Sequence, residues 1–349
     1  MATLPQVTVC VPVWNGARFV AETLNSIARQ TYPNLHVLIS DDASTDGSAE
    51  LCRSIAERHG FELIVQPERR GWVGNCNFLL ERAAGDFVCI LPHDDRLDER
   101  YVEVLAAHLS ATPACAQVFC DVQAFEATDK VLTQPSLVGS PFERVHQLIT
   151  RHFDGTAFRG LVRRAALDRA GGLPANAFDG FAADIGWLAR LALEGEIHRL
   201  PEILYFKRYH SRSTAYAWGA WVEDAKIAAW TDHCGDLLGV ALKLDLSPAE
   251  RWLITHAAVS RLIIANEQRA PYPHIRRLPI ARKAEMVGVL LAHFGPVFFG
   301  AETSVEERRR LAVLTVEALT ARKPVAAPRT PANILRFLRK KPLRLRSDK

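Results

Sequence analysis

Short apolar runs alternate with amphipathic stretches over the first 120 residues. Val7-Thr8-Val9-Cys10-Val11 is β-branched and bounded by Pro12, which predicts a strand over 7–11. Residues 17–31 place Phe19, Val20, Leu24 and Ile27 at helical spacing, and Tyr32-Pro33-Asn34 stops them. A second strand is expected over 35–40, ended by Asp41-Asp42. A helix over 48–59 puts Leu51, Cys52 and Ile55 on one face, with Gly60 just past its end and Ser48 expected as its cap. A third strand over 61–65, a helix over 73–84 closed by Gly85, and a fourth strand over 87–91 complete the alternation. Strands separated by helices of this length imply parallel pairing with helices on both faces. The expected fold is α/β, with a doubly wound, mostly parallel sheet.

Beyond residue 120 the order loosens. Val118-Phe119-Cys120 reads as a strand, 128–141 as loop, 142–153 and 183–194 as helices, and 203–209 as another strand. From residue 214 the pattern turns helical. Ser247-Pro248-Ala249-Glu250 is a capping box with Pro at the first helical position, opening a helix to about Asn266. Ser304-Val305-Glu306-Glu307 opens another to about Thr320. A domain change is placed near residue 215: a catalytic-type domain over 1–215, a helical region over 216–325 and a basic tail over 326–349.

With 349 residues and 48% hydrophobic content, the chain can bury a large core. Its net charge is +4, yet residues 321–349 hold ten Lys/Arg against one Asp, so the body is slightly acidic. No Cys-x-x-Cys pair occurs among seven cysteines, which leaves zinc-ribbon and thioredoxin-like functions unsupported. The odd cysteine count without a framework fits a reducing cytosol. The N-terminus shows no signal-peptide pattern. No apolar run approaches the ~20 residues of a membrane helix. The expected location is cytoplasmic.

The candidate chemistry gathers at predicted strand ends. Leu91-Pro92-His93-Asp94-Asp95 follows the fourth strand, and two adjacent carboxylates there are costly unless a cation meets them. In an open α/β sheet that edge binds ligands, and a divalent metal carrying a diphosphate suits paired carboxylates. Pro12-Val13-Trp14-Asn15-Gly16 follows the first strand. Asp41-Asp42-Ala43-Ser44-Thr45-Asp46-Gly47-Ser48 follows the second. Gly71-Trp72-Val73-Gly74-Asn75-Cys76-Asn77 opens the third helix.

In order and spacing, residues 5–215 resemble the family 2 inverting glycosyltransferases, whose catalytic domain has the GT-A fold. The resemblance implies transfer of a sugar from a nucleotide-diphosphate donor, UDP-sugar favoured, to a hydroxyl of a glycan or glycolipid acceptor in surface polysaccharide synthesis. It implies a divalent metal, Mn or Mg. It places Pro12, Trp14, Asn15, Asp41, Asp42, Asn77 and Asp94 around the nucleotide, with Asp41 or Asp42 accepting a base N–H and Asp94 near the ribose. Asp95 and His210 are the expected metal ligands. Asp184, in Ala183-Asp184-Ile185-Gly186-Trp187-Leu188, matches the position of the catalytic base, where the helix dipole would hold it ionised; Asp179 is its neighbour and rival. Two departures stand out. Pro92 replaces a further Asp, and Cys76 stands where relatives carry a base-contacting Arg.

Other readings remain open on the sequence. A catalytically silent nucleotide- or glycan-binding module would explain Pro92 and Cys76. A sugar-1-phosphate nucleotidyltransferase shares the sheet but needs a glycine-rich loop after the first strand, where only Gly16 stands. The tail interleaves Ile334, Leu335, Phe337 and Leu338 with Arg336, Arg339, Lys340 and Lys341, either as a solvated tail or as a peripheral contact with anionic membrane at the inner face. Its few aromatics give nucleic-acid binding little support.

Overall fold

The structure is a computed structural model that describes residues 4–151, 154–264, 273–299 and 304–320. It divides into two units, Met1–Val222 and Glu223–Lys349. The residues of the expected tail, 326–349, lie outside the described ones.

The first unit carries strands β1 (Val7–Val13), β2 (Leu35–Asp41), β3 (Glu62–Val65), β4 (Phe87–Ile90), β5 (Arg96–Leu97), β6 (Cys115–Glu126), β7 (Val131–Leu132), β8 (Leu161–Arg163) and β9 (Glu196–Tyr209). Its helices are α1 (Val20–Ala28), α2 (Ser48–His59), α3 (Gly71–Arg82), α4 (Tyr101–Ala111), α5 (Pro141–Thr150), α6 (Arg164–Ala170), α7 (Ala183–Glu194) and α8 (Thr214–Gly219). The sheet order is β3-β2-β1-β4-β8-β6-β9-β5, with β7 beside β6. Pairs β3–β2, β2–β1, β1–β4 and β6–β9 are parallel, whereas β8 runs antiparallel to both β4 and β6. The short reversed β8 lets β6 and β9 continue in the direction of β1 and β4. Their carboxyl ends therefore share one edge.

Burial explains the order. Val7, Val9, Val11 and Val13 of β1 pack with Val20, Leu24 and Ile27 of α1, Ile55 of α2, and Val102, Leu105 and Leu109 of α4. Cys10 and Ile90, at the alternate positions, are buried as well. A strand buried on both faces is a continuous apolar run rather than an alternating one. All seven cysteines are free and buried.

β1 runs two residues past its expected end. Pro12 pairs with Ser40 of β2 in register, and Cys10 is the last β1 residue that β4 pairs. The donor that Pro12 lacks therefore faces the side where β4 has already stopped, so no ladder bond is lost. Six elements of the first unit escaped the sequence pattern: β5, α4, β7, which falls in the expected loop over 128–141, a 3-10 turn at Gly155–Arg159, β8 and α6. β6 and β9 also start well before their apolar signals, because their amino halves carry polar residues such as Gln117 and His198.

α7 is clamped at its carboxyl end by Arg144, a buried side chain of α5. Its guanidinium donates to Ala192 O at 2.6 Å, Leu193 O at 3.2 Å and Gly139 O. A cation on the last carbonyls of a helix satisfies acceptors that have no intrahelical donor.

The second unit holds α9 (Glu223–Ala241), α10 (Pro248–Ile264), α11 (Ile280–Phe299) and α12 (Val305–Thr320). The capping box at α10 is present: Glu250 N donates to Ser247 Oγ at 3.3 Å and Ser247 N to Glu250 Oε2 at 2.9 Å. Among the described residues no helix is long and apolar enough to cross a membrane.

Arg144→Met should lower the thermal midpoint of the first unit, with a loss of roughly 2–4 kcal/mol, because three carbonyls lose a charged donor. Calorimetry checks this. An unchanged midpoint would mean that solvent replaces the clamp.

Candidate functional site

The turns after β1, β2 and β4 are tied to each other before any ligand enters. After β4, the turn closes through Asp95 N to Pro92 O at 3.1 Å. Thr23 Oγ1 of α1 lies 2.7 Å from both His93 O and Asp95 O, between which its one proton is shared. His93 Nδ1 lies 3.3 Å from Pro12 O, and the ring covers Gly16 so closely that a Cβ there would overlap it. Asn15 adopts φ 47, donates its N–H to Ser44 Oγ at 2.9 Å and accepts Thr45 N at 2.9 Å. Gly16 N donates to Ser48 Oγ at 2.8 Å. Ser48 is thus the first residue of α2 rather than its cap. Asp46 accepts Ser48 N at 3.1 Å in its place.

The two Asp residues after β2 differ in what they have left to offer. Asp42 accepts Arg70 N at 2.7 Å and Gly71 N at 3.0 Å, holding the start of α3. Burial pushes its carboxyl above the usual range, against those two bonds. Asp41 accepts Ser44 N through Oδ2 at 3.0 Å, and its buried Oδ1 has no partner. Trp14 is 41% exposed, with the Arg69 guanidinium 3.7 Å from the ring centre. Asn77 is turned elsewhere. Its amide donates to Leu173 O at 2.9 Å and accepts Leu173 N at 2.7 Å, so it fixes the 172–173 loop and has no group aimed at the strand ends.

Asp94 and Asp95 separate in the same way. Asp95, expected as a metal ligand, points inward and is 2% exposed. Tyr205 OH donates to it at 2.7 Å, Arg208 N at 2.8 Å and Arg159 Nε at 3.3 Å. Three protein donors leave this carboxylate little to give an ion. Burial and the neighbouring Asp94 push its carboxyl up, while Arg159 pulls it down. Asp94 Oδ2 instead lies 2.8 Å from His210 Nε2, with 16% and 8% of the two side chains exposed. Burial alone would raise Asp94, but the His210 hydrogen bond and nearby His93 hold its carboxyl below the usual range. The His210 ring leans on Phe19, centroids 4.7 Å apart.

Arg208 lies near the end of β9, two residues before His210. It folds back onto Asp94 O at 3.0 Å, Glu126 Oε2 at 2.7 Å and Glu22. Sequence reasoning missed Arg159, Lys207 and Tyr205. Arg159 closes the 3-10 turn, donates to Gly155 O at 2.9 Å, and has its own carbonyl held by Tyr101 OH at 2.6 Å. No sequence signal marks it. Burial, then Arg159, lowers the Lys207 ammonium to about 8.

Asp184 sits in the first turn of α7, half-buried, with Oδ1 accepting Ile185 N at 3.0 Å. The expected dipole effect loses to burial: its carboxyl is raised above the ordinary 3.8, with Arg159 as the chief opposing influence. Arg159 thus faces Asp95 and Asp184 together. Asp179 is exposed at φ 46, and its carbonyl receives Trp72 Nε1 at 2.8 Å. Trp72, Phe181, Trp218 and Trp221 form an aromatic wall there, with ring centroids 5.4–6.2 Å apart. The Trp218 Nε1 donor is buried without a partner.

Gly155 fits against Asp184 because it has no side chain. A Cβ there would overlap Asp184 Oδ2. Gly155→Ala should turn the carboxylate outward and lower its titration midpoint towards the ordinary range, as read by carboxyl NMR. An unaltered midpoint would mean the 3-10 turn yields instead.

The chain has counterparts in sequence and fold. The sequence profile of "Glycosyl transferase family 2" matches residues 8–171. Glycosyltransferase GlyA of Streptococcus pneumoniae serotype 4 is 34% identical over 100 residues, which are 29% of this chain and 14% of GlyA. The chain spans between 14% and 50% of the length of such curated relatives. In structure it resembles S. aureus TarS 1-349 in complex with UDP-GlcNAc, at TM-score 0.63 and 16% identity over 90% of each chain. It also resembles the mannosyltransferase PcManGT from Pyrobaculum calidifontis in complex with GDP-Man and Mn2+, at TM-score 0.52 and 23% identity over 91% of this chain and 81% of that one. These likenesses establish the GT-A fold. Over residues 8–171, just under half of the chain, the sequence matches glycosyl transferase family 2.

Proposed function

We propose that this chain transfers a sugar, with inversion, from a nucleoside-diphosphate donor to a hydroxyl of a glycan or glycolipid acceptor. UDP is the favoured nucleotide, and surface polysaccharide synthesis at the cytoplasmic side of a membrane is the setting. The supporting observation is the convergence at one sheet edge of Asp94, His210 and Asp184 around the buried Asp95–Arg159 pair. A carboxylate raised by burial stands near, but outside, a carboxylate–imidazole pair suited to a metal.

Asp94 and His210, rather than Asp95, would hold the ion. Their ligand atoms already lie 2.8 Å apart on the less buried side of the turn. One carboxylate oxygen and one imidazole nitrogen fit Mn, and leave positions for diphosphate oxygens that Mg would also accept. When bound, such an ion neutralises the departing nucleoside diphosphate. At the base end, Asp41 is favoured over Asp42, because its Oδ1 retains acceptor capacity for an N–H of the base. Trp14 and Arg69 offer a stacking surface beside it. Asn15 acts through the loop that it ties, and Pro12 through the carbonyl that faces His93.

Asp184 takes the proton from the acceptor hydroxyl at its carboxylate oxygen. Arg159 opposes the upward push of burial on that carboxyl. The wall of Trp72, Phe181 and Trp218 suits the apolar face of a sugar ring, and Trp218 Nε1 has a donor to offer a hydroxyl.

Two experiments test the reading. Asp94→Asn should abolish Mn-dependent UDP binding while leaving the thermal midpoint near that of the parent protein. Asp95→Asn should instead destabilise the fold by about 3–5 kcal/mol, since it unpairs a buried Arg159. Calorimetry and equilibrium binding separate them. Full metal dependence in Asp94→Asn would return the ligand role to Asp95.

Asp184→Asn should cut transfer ~10²–10⁴-fold with donor affinity unchanged. A base works deprotonated, so the acid limb of kcat/KM should lie above the ordinary carboxylate range and disappear in the variant. Stability carries the opposite sense. A carboxyl raised in the folded state contributes fully below its unfolded value and loses that contribution as pH rises through the folded one. Asp184→Asn should therefore be no less stable than the parent at neutral pH. Transfer within a few-fold of the parent would move the base elsewhere.

A further inference from the structure

At the amino ends of β6 and β9, the edge opposite Asp94, three ligand-type side chains meet. His108 comes from the last turn of α4, Cys115 opens β6, and His198 is the third residue of β9. One ligand atom from each lies within 4.8 Å of the other two. His108 Nε2 and His198 Nδ1 are 2.9 Å apart. The other ring nitrogen of His198 meets Glu196 Oε2 at 2.9 Å. That carboxylate fixes the proton on Nε2 and leaves the Nδ1 lone pair directed at His108. Cys115 is fully buried, and both imidazoles are half-buried.

We propose that His108, Cys115 and His198 form a zinc site, with Glu196 as the carboxylate that orients His198. Two imidazoles and a thiolate are ligands of zinc rather than of Mg or Mn. The Asp94–His210 pair at the opposite edge has no thiolate, so it lacks the ligand that most favours zinc. A carboxylate on the far nitrogen of a ligating imidazole is the usual outer partner of a protein zinc ion. Three protein ligands leave a fourth position for water. With Zn–N of about 2.0–2.1 Å and Zn–S of about 2.3 Å, neighbouring ligand atoms stand roughly 3.3–3.6 Å apart. The His108–His198 pair has only to open slightly, exchanging one N–H···N bond for two metal bonds.

The protons balance. Before binding, the Cys115 thiol carries its proton and donates it to Gln117 O at 3.0 Å. Binding forms a Zn–S bond and sends that proton to solvent. His108 stays neutral, its proton moving from Nε2 to Nδ1. One proton leaves per ion. Around the thiol, Glu196 favours the arriving cation, and Arg163, whose Nε donates to Cys115 O at 3.1 Å, opposes it. An ion here joins α4, β6 and β9, so it binds the folded chain and stabilises it by mass action.

The test uses the full chain, stripped with a chelator and titrated with Co2+ and then Zn2+. One equivalent of Co2+ should give tetrahedral ligand-field bands and a thiolate charge-transfer band, both removed by Zn2+. Apparent affinity should rise roughly tenfold per pH unit below the thiol range, as one proton is released. Cys115→Ser should lose the charge-transfer band, and Glu196→Gln should weaken binding roughly 10–100-fold. Asp94→Asn should leave the band intact, which separates this site from the opposite edge. Metal-free circular dichroism melts establish that each variant is folded. If Cys115→Ser fails to fold, His108→Gln decides, and must lose at least tenfold in affinity. Absence of a thiolate band at one equivalent, or its survival in Cys115→Ser, overturns the proposal.

Discussion

The buried carboxylate of Asp95 is the constraint on which the candidate site depends. It ends the β4 turn and is met by a tyrosine and a backbone N–H from β9 and by a guanidinium from the 3-10 turn. Three segments far apart in sequence thereby acquire one common point. Removing a charge from water is costly, and the cost is recovered only when donors surround it. Those donors fix everything next to them. Arg208 N, bonded to Asp95, places His210 two residues on, opposite Asp94. Arg159, bonded to Asp95, brings its charge to Asp184.

This division of labour accounts for the paired acids. In each pair one carboxylate organises protein and the other keeps free capacity. Asp42 holds the start of α3 while Asp41 retains an unpartnered oxygen. Asp95 holds β9 and Arg159 while Asp94 meets His210. Two like charges on adjacent residues are tolerable because they point into different surroundings. A single acid at either position could not both anchor the loop and remain available.

Periodicity carried the legible part of the fold. β1, β2, β4, α2 and α7 bury continuous or one-sided apolar sets, and their boundaries follow from those sets with errors of a residue or two. The shortest missed elements lack such sets, whereas α4 carries one in Val102, Leu105 and Leu109 that was overlooked. β8 is three residues long and the 3-10 turn five, too short for any period to show. At the candidate site, the strand-end motifs fall on the turns after β1, β2 and β4. They did not say which way each acid points. That is decided by Tyr205 and Arg159, which lie 110 and 64 residues from Asp95. Asn77 shows the same limit, since its partner Leu173 is 96 residues away.

The histidine–cysteine cluster was illegible for a related reason. Metal sites are recognised in sequence when two ligands sit close together on one element. Here each ligand comes from a different element, and only the parallel pairing of β6 with β9 makes Cys115 the partner of Glu196 in register. The same two strands then run to the opposite edge, where β9 delivers Tyr205 and Arg208 to Asp95. The β6–β9 ladder runs from Cys115–Glu196 to Glu126–Tyr209, with register shifts between Cys120 and Val122, where β9 is exposed at Pro201, Glu202 and Ile203. Cross-linking its amino ends would bear on Tyr205 and Arg208 through that ladder, and on Asp94 and Asp184 only through the Asp95 and Arg159 contacts.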